Sequence, residues 1–342
     1  MRYRQLGNTG MFVSEICLGT MTFGGKGSFY VHVGSLDLKA VTAIVARTLE
    51  AGVNFIDTAD VYSLGLSEEL LGQALKDLGI RRSDVVIATK GFGRLGSGPN
   101  EAGSSRGHLM DTVEESLKRL QTDHIDLYQI HGQDCVTPTE ETMRALEDMV
   151  RRGMVRYVGC SNWQAWKILQ AQGIADKRGW ARLETVQAYY SLAGRGLERE
   201  IVPAIQDQKM GLMVWSPLAG GILSGKFGPD STPEGARRAT FDFPPVDRDR
   251  AWPIVDALRE IGKAKGASAA RVALAWVLAK TFVTSVIIGV KSLDQLEDNL
   301  AASQLSLSAD EVKRLDDLSE LPLEYPGFMV TRQNHGRLPE KK

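Results

Sequence analysis

The sequence predicts an α/β protein folded as a (β/α)8 TIM barrel with an N-terminal hairpin and long βα loops. Three observations carry this: eight short apolar runs, helix-period segments between them, and a length that one barrel fills. The chain has 342 residues, and α/β barrels commonly run past about 250 residues as one domain. The expectation is therefore a single barrel domain over residues 1–342, with the polar tail after about residue 320 wrapping the outside.

Residues 3–13, turning at Gly7-Asn8-Thr9-Gly10, read as a hairpin placed ahead of the barrel. The candidate strands are EICLG (15–19), NFID (54–57), DVVIATK (84–90), IDLYQIH (125–131), VRYVGCS (155–161), TVQ (185–187), GLMVW (211–215) and SVIIG (285–289). Val and Ile fall on both parities of these runs, the pattern of parallel strands covered on both faces. Between them, residues 37–51 place Val41, Ile44, Val45 and Thr48 on one helical face, and residues 105–120 repeat Leu109, Val113, Leu117 and Leu120. Thr137, Pro138 and Glu140 read as N-cap, N1 and N3 of a capping box. Ser67 with Glu68 and Glu69 reads as another helix start, its carboxylates at the positive end of the dipole. Right-handed crossovers close eight such units most economically into a barrel; a doubly wound open sheet is the alternative. Segments 24–36, 91–104 and 228–250 break the rhythm and read as long loops on the rim.

Composition narrows the function classes. A formal net charge of −1 gives no basic surface for nucleic acid or for an acidic membrane face. Cys17, Cys135 and Cys160 show no C-x-x-C spacing, which argues against a zinc site and fits a reducing compartment. The start, MRYRQLGNTG, lacks the apolar stretch of a signal peptide. No run approaches the roughly 18 to 20 apolar residues of a membrane span. A cytoplasmic protein without a metal is expected.

Chemistry in such a barrel sits at the C-terminal ends of the strands. The second run ends in Asp57, with Tyr62 shortly after; the third ends in Lys90 and the fourth in His131. Taken singly, each suits a turn, a packed rim position or a solvated end. Their joint arrival at one face makes them a candidate catalytic set. A phenol titrates near ~10, and Lys90 beside it would lower that value, with Asp57 keeping Lys90 charged. A neutral His131 would hold a carbonyl oxygen beside Tyr62, the general acid. The protein has no hydride donor of its own, so a cofactor is implied.

GVNFIDTADVYSLGLSEELLG (52–72) resembles the aldo-keto reductase signature around its catalytic Asp and Tyr. VVIATK ending at Lys90 and IDLYQIH ending at His131 are similar to the family's lysine and histidine segments. The likeness runs from GNTG and LGTMTFGG to SLDQLEDNLAA. It implies an NADPH/NADP+-dependent oxidoreductase acting reversibly on carbonyls and alcohols. In that reading Tyr62 is the proton donor, Lys90 and Asp57 tune it, and His131 orients the small-molecule substrate. One departure stands out. His131-Gly132-Gln133-Asp134 replaces the bulky aromatic-proline pair common in the family, and Gly132 is expected to widen the pocket toward bulky ketones or secondary alcohols.

The other strand ends suit a dinucleotide. Ser161 and Asn162 offer a hydroxyl and an amide to a carboxamide, Gln187 ends its run, and Trp215 is placed to stack on a nicotinamide. Ser216, Pro217, Leu218 and Lys226 follow in a glycine-rich loop that the resemblance assigns to the pyrophosphate. It also assigns Gly19, Thr20, Met21 and Gly289 to the cofactor. Ser292 and Gln295 form a capping-box pattern at a helix start, and that helix N-terminus with Lys291 and the Ser292 hydroxyl makes an anion site suited to the ribose phosphate of NADPH. By resemblance Gln295, Asp298 and Asn299 lie near the adenosine. Gly91 to Gly96 fits G-x-G-x-x-G, yet more loop follows where a dinucleotide motif needs a helix, so it reads as a mobile substrate loop. Two other readings stay open: a cofactor-bound regulatory subunit like those of potassium channels, and a barrel enzyme using Lys90 as a Schiff base.

Overall fold

The structure is a computed structural model that describes residues 1–229, 231–232 and 236–337. Part of the 228–250 segment and the end of the tail thus lie outside the described residues. Strands β1 (Tyr3–Gln5) and β2 (Phe12–Ser14) form an antiparallel hairpin. Strands β3 (Ile16–Gly19), β4 (Phe55–Asp57), β5 (Val86–Gly91), β6 (Ile125–Ile130), β7 (Val155–Ser161), β8 (Leu183–Tyr189), β9 (Gly211–Trp215) and β10 (Ser285–Gly289) pair in sequence order, all parallel. β10 closes onto β3 through Val286–Ile16 to Gly289–Gly19, so the sheet is a barrel and not an open, doubly wound one.

Side-chain alternation divides each strand between two cores. Cys17, Phe55, Ala88, Leu127, Met213 and Ile287 fill the barrel interior together with Leu6 and Val13 of the hairpin, which stoppers its lower end. Their neighbours Ile16, Leu18, Ile56, Ile87, Ile130 and Val214 face outward into the helices. Stepping by two from the interior residues leads at the upper end to Gly19, Asp57, Lys90, Gln129, Trp215 and Gly289. The polar strand ends therefore converge because they share the parity of the apolar plug below them.

Helix α1 (Tyr30–Val33) is a short turn on the rim. The ring around the barrel is α2 (Leu38–Glu50), α3 (Leu66–Asp77), α4 (Arg106–Leu120), α5 (Thr139–Arg151), α6 (Ala165–Arg178) and α7 (Ile201–Asp207). It is completed by α8 (Arg237–Thr240), α9 (Arg248–Lys265), α10 (Ala269–Leu278) and α11 (Leu293–Leu300), with α12 (Ala309–Leu318) and α13 (Gly327–Asn334) in the tail. The tail lies outside the barrel, tied down by Arg199 to Glu324 at 2.7 Å and by Arg250 Nη2 donating to the Glu320 carbonyl at 2.6 Å. Among the described residues no helix is long and apolar enough to cross a membrane.

Two expected helix starts differ. α5 begins at Thr139 after Pro138, and the Thr137 hydroxyl donates to Asp134 Oδ2 at 2.8 Å instead of capping. Asp134 also accepts from three backbone amides (Ser104, Val136 and Thr137), which fix its loop. α3 begins one residue before Ser67, after Gly65 at φ 89°. Ser67 is buried and bonds Thr20 by its hydroxyl, so it serves barrel packing where a cap was expected. Gly72 faces α4 so closely that an added Cβ would lie 2.7 Å from the Arg119 and Leu120 carbonyl oxygens. Gly72→Val should destabilise the fold by about 1–3 kcal/mol through overpacking, read as a lowered midpoint in urea unfolding; an unchanged midpoint would mean α3 and α4 can part freely.

Candidate active site

The upper end of the barrel collects the predicted catalytic residues. Lys90 Nζ is fully buried and donates to Asp57 Oδ1 at 2.5 Å, to the Thr58 carbonyl at 2.7 Å and to the Tyr62 hydroxyl at 3.3 Å. Three donations saturate an ammonium. Asp57 Oδ2, in turn, accepts from Gln187 Nε2 at 2.9 Å and Gln129 Nε2 at 3.2 Å. The His131 ring stands 5.7 Å from that of Tyr62, nearly edge-on at 74°. Tyr62 reaches this point because residues 62–65 make a tight turn, with Ser63 and Leu64 at positive φ. The Ser63 hydroxyl donates to the Phe23 carbonyl and anchors that turn.

Electrostatics correct one expectation. Burial pushes the Tyr62 phenol up, and Lys90 pulls it back without fully offsetting burial, so the pKa ends raised and not lowered. Burial would push the Lys90 ammonium down, but Asp57 and Tyr62 outweigh it and it ends raised. Burial, helped by Lys90, drops His131 to about 3. At neutral pH the site therefore holds a protonated phenol, a cation beside it and an uncharged imidazole. That set can donate a proton to a carbonyl oxygen while keeping positive charge near it.

Around this centre, Asn162, at φ 60°, accepts from Trp215 Nε1 at 2.9 Å and donates to the His131 carbonyl at 3.1 Å and to Ser161 Oγ at 3.0 Å. Gln187, read as a cofactor ligand, commits its amide N–H to Asp57. The Thr20 amide donates to the Asp57 carbonyl, which brings Gly19, Thr20 and Met21 beside the site. Ser216 and Ala219 hold positive φ in a turn where Ser216 Oγ accepts from the Gly220 amide, and Pro217 and Leu218 lie within it, with Lys226 exposed beyond. Gly289, Lys291, Ser292 and Gln295 are exposed at the rim where β10 meets α11. The capping box is partial. Ser292 Oγ accepts from the Gln295 amide, but Gln295 Oε1 accepts from the Lys291 amide instead of that of Ser292. Asp298 is paired with Arg271 at 2.8 Å and Ser268 at 2.6 Å, and Asn299 is buried.

A family model for the Aldo/keto reductase family matches residues 15–320. The chain belongs to the aldo-keto reductase family. It is 39% identical over 327 residues to an uncharacterized oxidoreductase of Bacillus subtilis, covering 93% of this chain and 96% of that one. It is 37% identical to a probable voltage-gated potassium channel subunit beta of Oryza sativa subsp. japonica, covering 88% and 91%. It is 35% identical to the versiconal hemiacetal acetate reductase of Aspergillus parasiticus, covering 93% and 96%.

Within this family frame the pocket departs from the sequence reading. Phe92 packs on Gly132, its ring carbon 2.8 Å from where a Cβ would stand, so Gly132 makes room for Phe92 and does not widen the pocket. Gln133 pairs with Gln164. The 91–104 loop is tied by Gly103 to Phe92 and Leu95 to Glu101 backbone bonds, and α4 starts only after Ser105, so the glycine pattern there forms no phosphate loop. Sequence reasoning missed Gln129, an amide hidden inside an apolar strand, although its parity with Leu127 was a signal. It also missed a ring series across the mouth. Tyr30 lies 6.2 Å from Tyr62, Phe29 4.7 Å from Phe241, Phe241 5.4 Å from Phe243, and Phe243 5.7 Å from Trp215.

Two outcomes follow from the geometry. Lys90→Met leaves Asp57 buried without its cation and should cost about 3–5 kcal/mol of stability, measured by chemical denaturation; a neutral change would mean that water replaces the ammonium. With His131 neutral down to about 3, the pH profile of kcat/KM for carbonyl reduction should lack the inflection near ~6.5 of an ordinary imidazole. An inflection there that disappears in His131→Gln would contradict the burial of the ring.

Proposed function

We propose that this oxidoreductase uses NADPH to reduce aldehydes and ketones to alcohols, reversibly, with Tyr62 as general acid and base. The observation that carries the reading is Lys90 Nζ, buried and shared between Asp57 and the Tyr62 hydroxyl. A fully buried ammonium costs several kcal/mol in desolvation even after relaxation. Its placement against one phenol makes sense where that phenol must part with a proton and take it back.

The donor set fits a nicotinamide dinucleotide. Asn162 and Ser161 offer an amide and a hydroxyl next to the Trp215 indole, whose ring edge is held by Asn162. The stacking face of Trp215 is shared with Phe243, nearly parallel at 9°. Lys291, Ser292 and the first turn of α11 offer a cation, a hydroxyl and free amides to a ribose phosphate. When bound, NADPH would supply the hydride. The chain's own residues do the rest. His131, neutral, donates to the carbonyl oxygen and holds it beside Tyr62. Tyr62 gives its proton as negative charge develops there, and Lys90, kept charged by Asp57, steadies the phenolate left behind until solvent returns the proton. The rings of Phe29, Tyr30, Phe241, Phe243 and Trp215 favour a substrate with an aryl group. Three free cysteines, two of them buried, support a reducing cytoplasmic setting.

The relative named as a channel subunit favours a second reading, a cofactor-bound regulatory protein. Turnover separates the two. NADPH consumption with an aromatic aldehyde, followed by absorbance, should be lost by ~10³-fold or more in Tyr62→Phe with cofactor affinity kept. Tight NADPH binding without turnover in the unaltered protein would support the regulatory reading. Lys291→Ala should weaken NADPH by about tenfold and NADH far less, since a charge-assisted phosphate contact is worth roughly 1.5–3 kcal/mol; equal losses by fluorescence titration would place the phosphate elsewhere.

A further inference from the structure

Asp60 is a carboxyl that the proposed chemistry does not use. It is fully buried, and neither carboxyl oxygen completes a hydrogen bond among the described residues, the adjacent Val61 amide exerting only a weaker pull. Such groups carry a desolvation penalty that calls for an explanation. Its place is not incidental. Asp60 lies two residues before Tyr62, and its backbone amide donates to the carbonyl of Lys90 at 3.1 Å. The backbone at Asp60 is thus tied to the strand end that carries the site's cation.

The charged and titratable groups around it come from every packed element. Glu68 of α3 accepts from Thr89 Oγ1 at 2.5 Å and from Arg119 of α4 at 2.7 Å, so that arginine is already engaged. Lys90 on β5 is already saturated by Asp57, Thr58 and Tyr62. The Tyr128 hydroxyl on β6 is engaged with Thr112 at 3.0 Å. Tyr62 in the loop and Tyr30 of α1 both feel Asp60 electrostatically. Each neighbouring cation is thus taken by another acid, and Asp60 is left beside Glu68 with no counter-charge of its own.

We propose that Asp60 is a positioning residue of the catalytic site: a buried carboxyl that holds one proton at neutral pH and, on releasing it to solvent, keeps Tyr62 protonated further into the alkaline range. Burial, then the Glu68 charge, pushes the Asp60 carboxyl up to about 8, against weaker pulls from the Val61 amide, Arg119 and Lys90. The sign follows from charge. An ionised Asp60 opposes formation of a phenolate at Tyr62. It therefore extends the range in which Tyr62 can donate in reduction and delays the range in which it can accept in oxidation.

The inference rests on Tyr62 being the proton donor, and its test has a readout besides turnover. In Asp60→Asn, the alkaline limb of kcat for aryl-aldehyde reduction should move to lower pH, and the rising limb of alcohol oxidation should move the same way. A residue that only fills space would change rates at every pH without moving either limb, and limbs that superimpose on those of the unaltered protein overturn the proposal. Should the protein turn over no carbonyl, the phenolate absorbance of Tyr62, taken as the difference from Tyr62→Phe, still decides: it should appear at lower pH in Asp60→Asn. Should that variant fail to fold, infrared spectroscopy of the unaltered protein decides. A protonated-carboxyl stretch present at neutral pH should fade as pH passes through about 8; its absence at neutral pH would overturn the assignment.

Discussion

The upper half of the barrel is organised around one buried ion pair, Lys90 with Asp57. A charge in the barrel interior is tolerated only with every proton and lone pair satisfied. This requirement dictates what surrounds it. Thr58 gives its carbonyl to the ammonium, and Gln129 and Gln187 reach across to the second carboxylate oxygen. Beside them Gly159 leaves room for Thr185, whose hydroxyl a Cβ there would strike, while Gln129 lies at ordinary contact distance, 3.4 Å. Tyr62 then completes the coordination of Lys90, and the tight turn at Ser63 and Leu64 holds it there.

The same burial settles the charge of the neighbours. His131 cannot take a second cation beside Lys90 and stays neutral, while Tyr62 keeps its proton because desolvation outweighs the attraction of the ammonium. The expectation that Lys90 would lower the phenol considered the cation and not the water removed with it. All three effects that shift a pKa act on the phenol: the charge of Lys90 and its hydrogen bond lower it, burial raises it, and burial is the larger. A resting site of neutral donors around one cation suits a reaction in which negative charge appears only on a reacting oxygen.

Much of this was legible in the sequence because strand periodicity is a strong signal. All eight barrel runs fall within a few residues of the observed strands, and the residues that close them (Asp57, Lys90, Ser161 and Trp215) sit at the mouth. What escaped was whatever depends on contacts between distant segments. Ser67 has the local chemistry of a cap, yet the distant Thr20 claims its hydroxyl; Thr137 is drawn to Asp134, three residues back, whose loop the distant Ser104 amide helps to pin. Gly132 suggested an open pocket, and only the fold reveals that Phe92 from the preceding loop fills the space. Gln129 was hidden by the apolar run around it. The rings of Phe29, Tyr30, Phe241 and Phe243 come from two rim loops without periodicity, so no pattern in the chain announces that they meet.

The central claim is that this buried pair serves a phenol which protonates a carbonyl as hydride arrives. It is tested most directly by following the hydride itself, with NADPH deuterated at the transferring position of the nicotinamide and an aryl aldehyde as acceptor. The account predicts an aryl alcohol carrying deuterium at its carbinol carbon, formed in step with cofactor oxidation. Cofactor that stays reduced, or alcohol formed without the label, would contradict it.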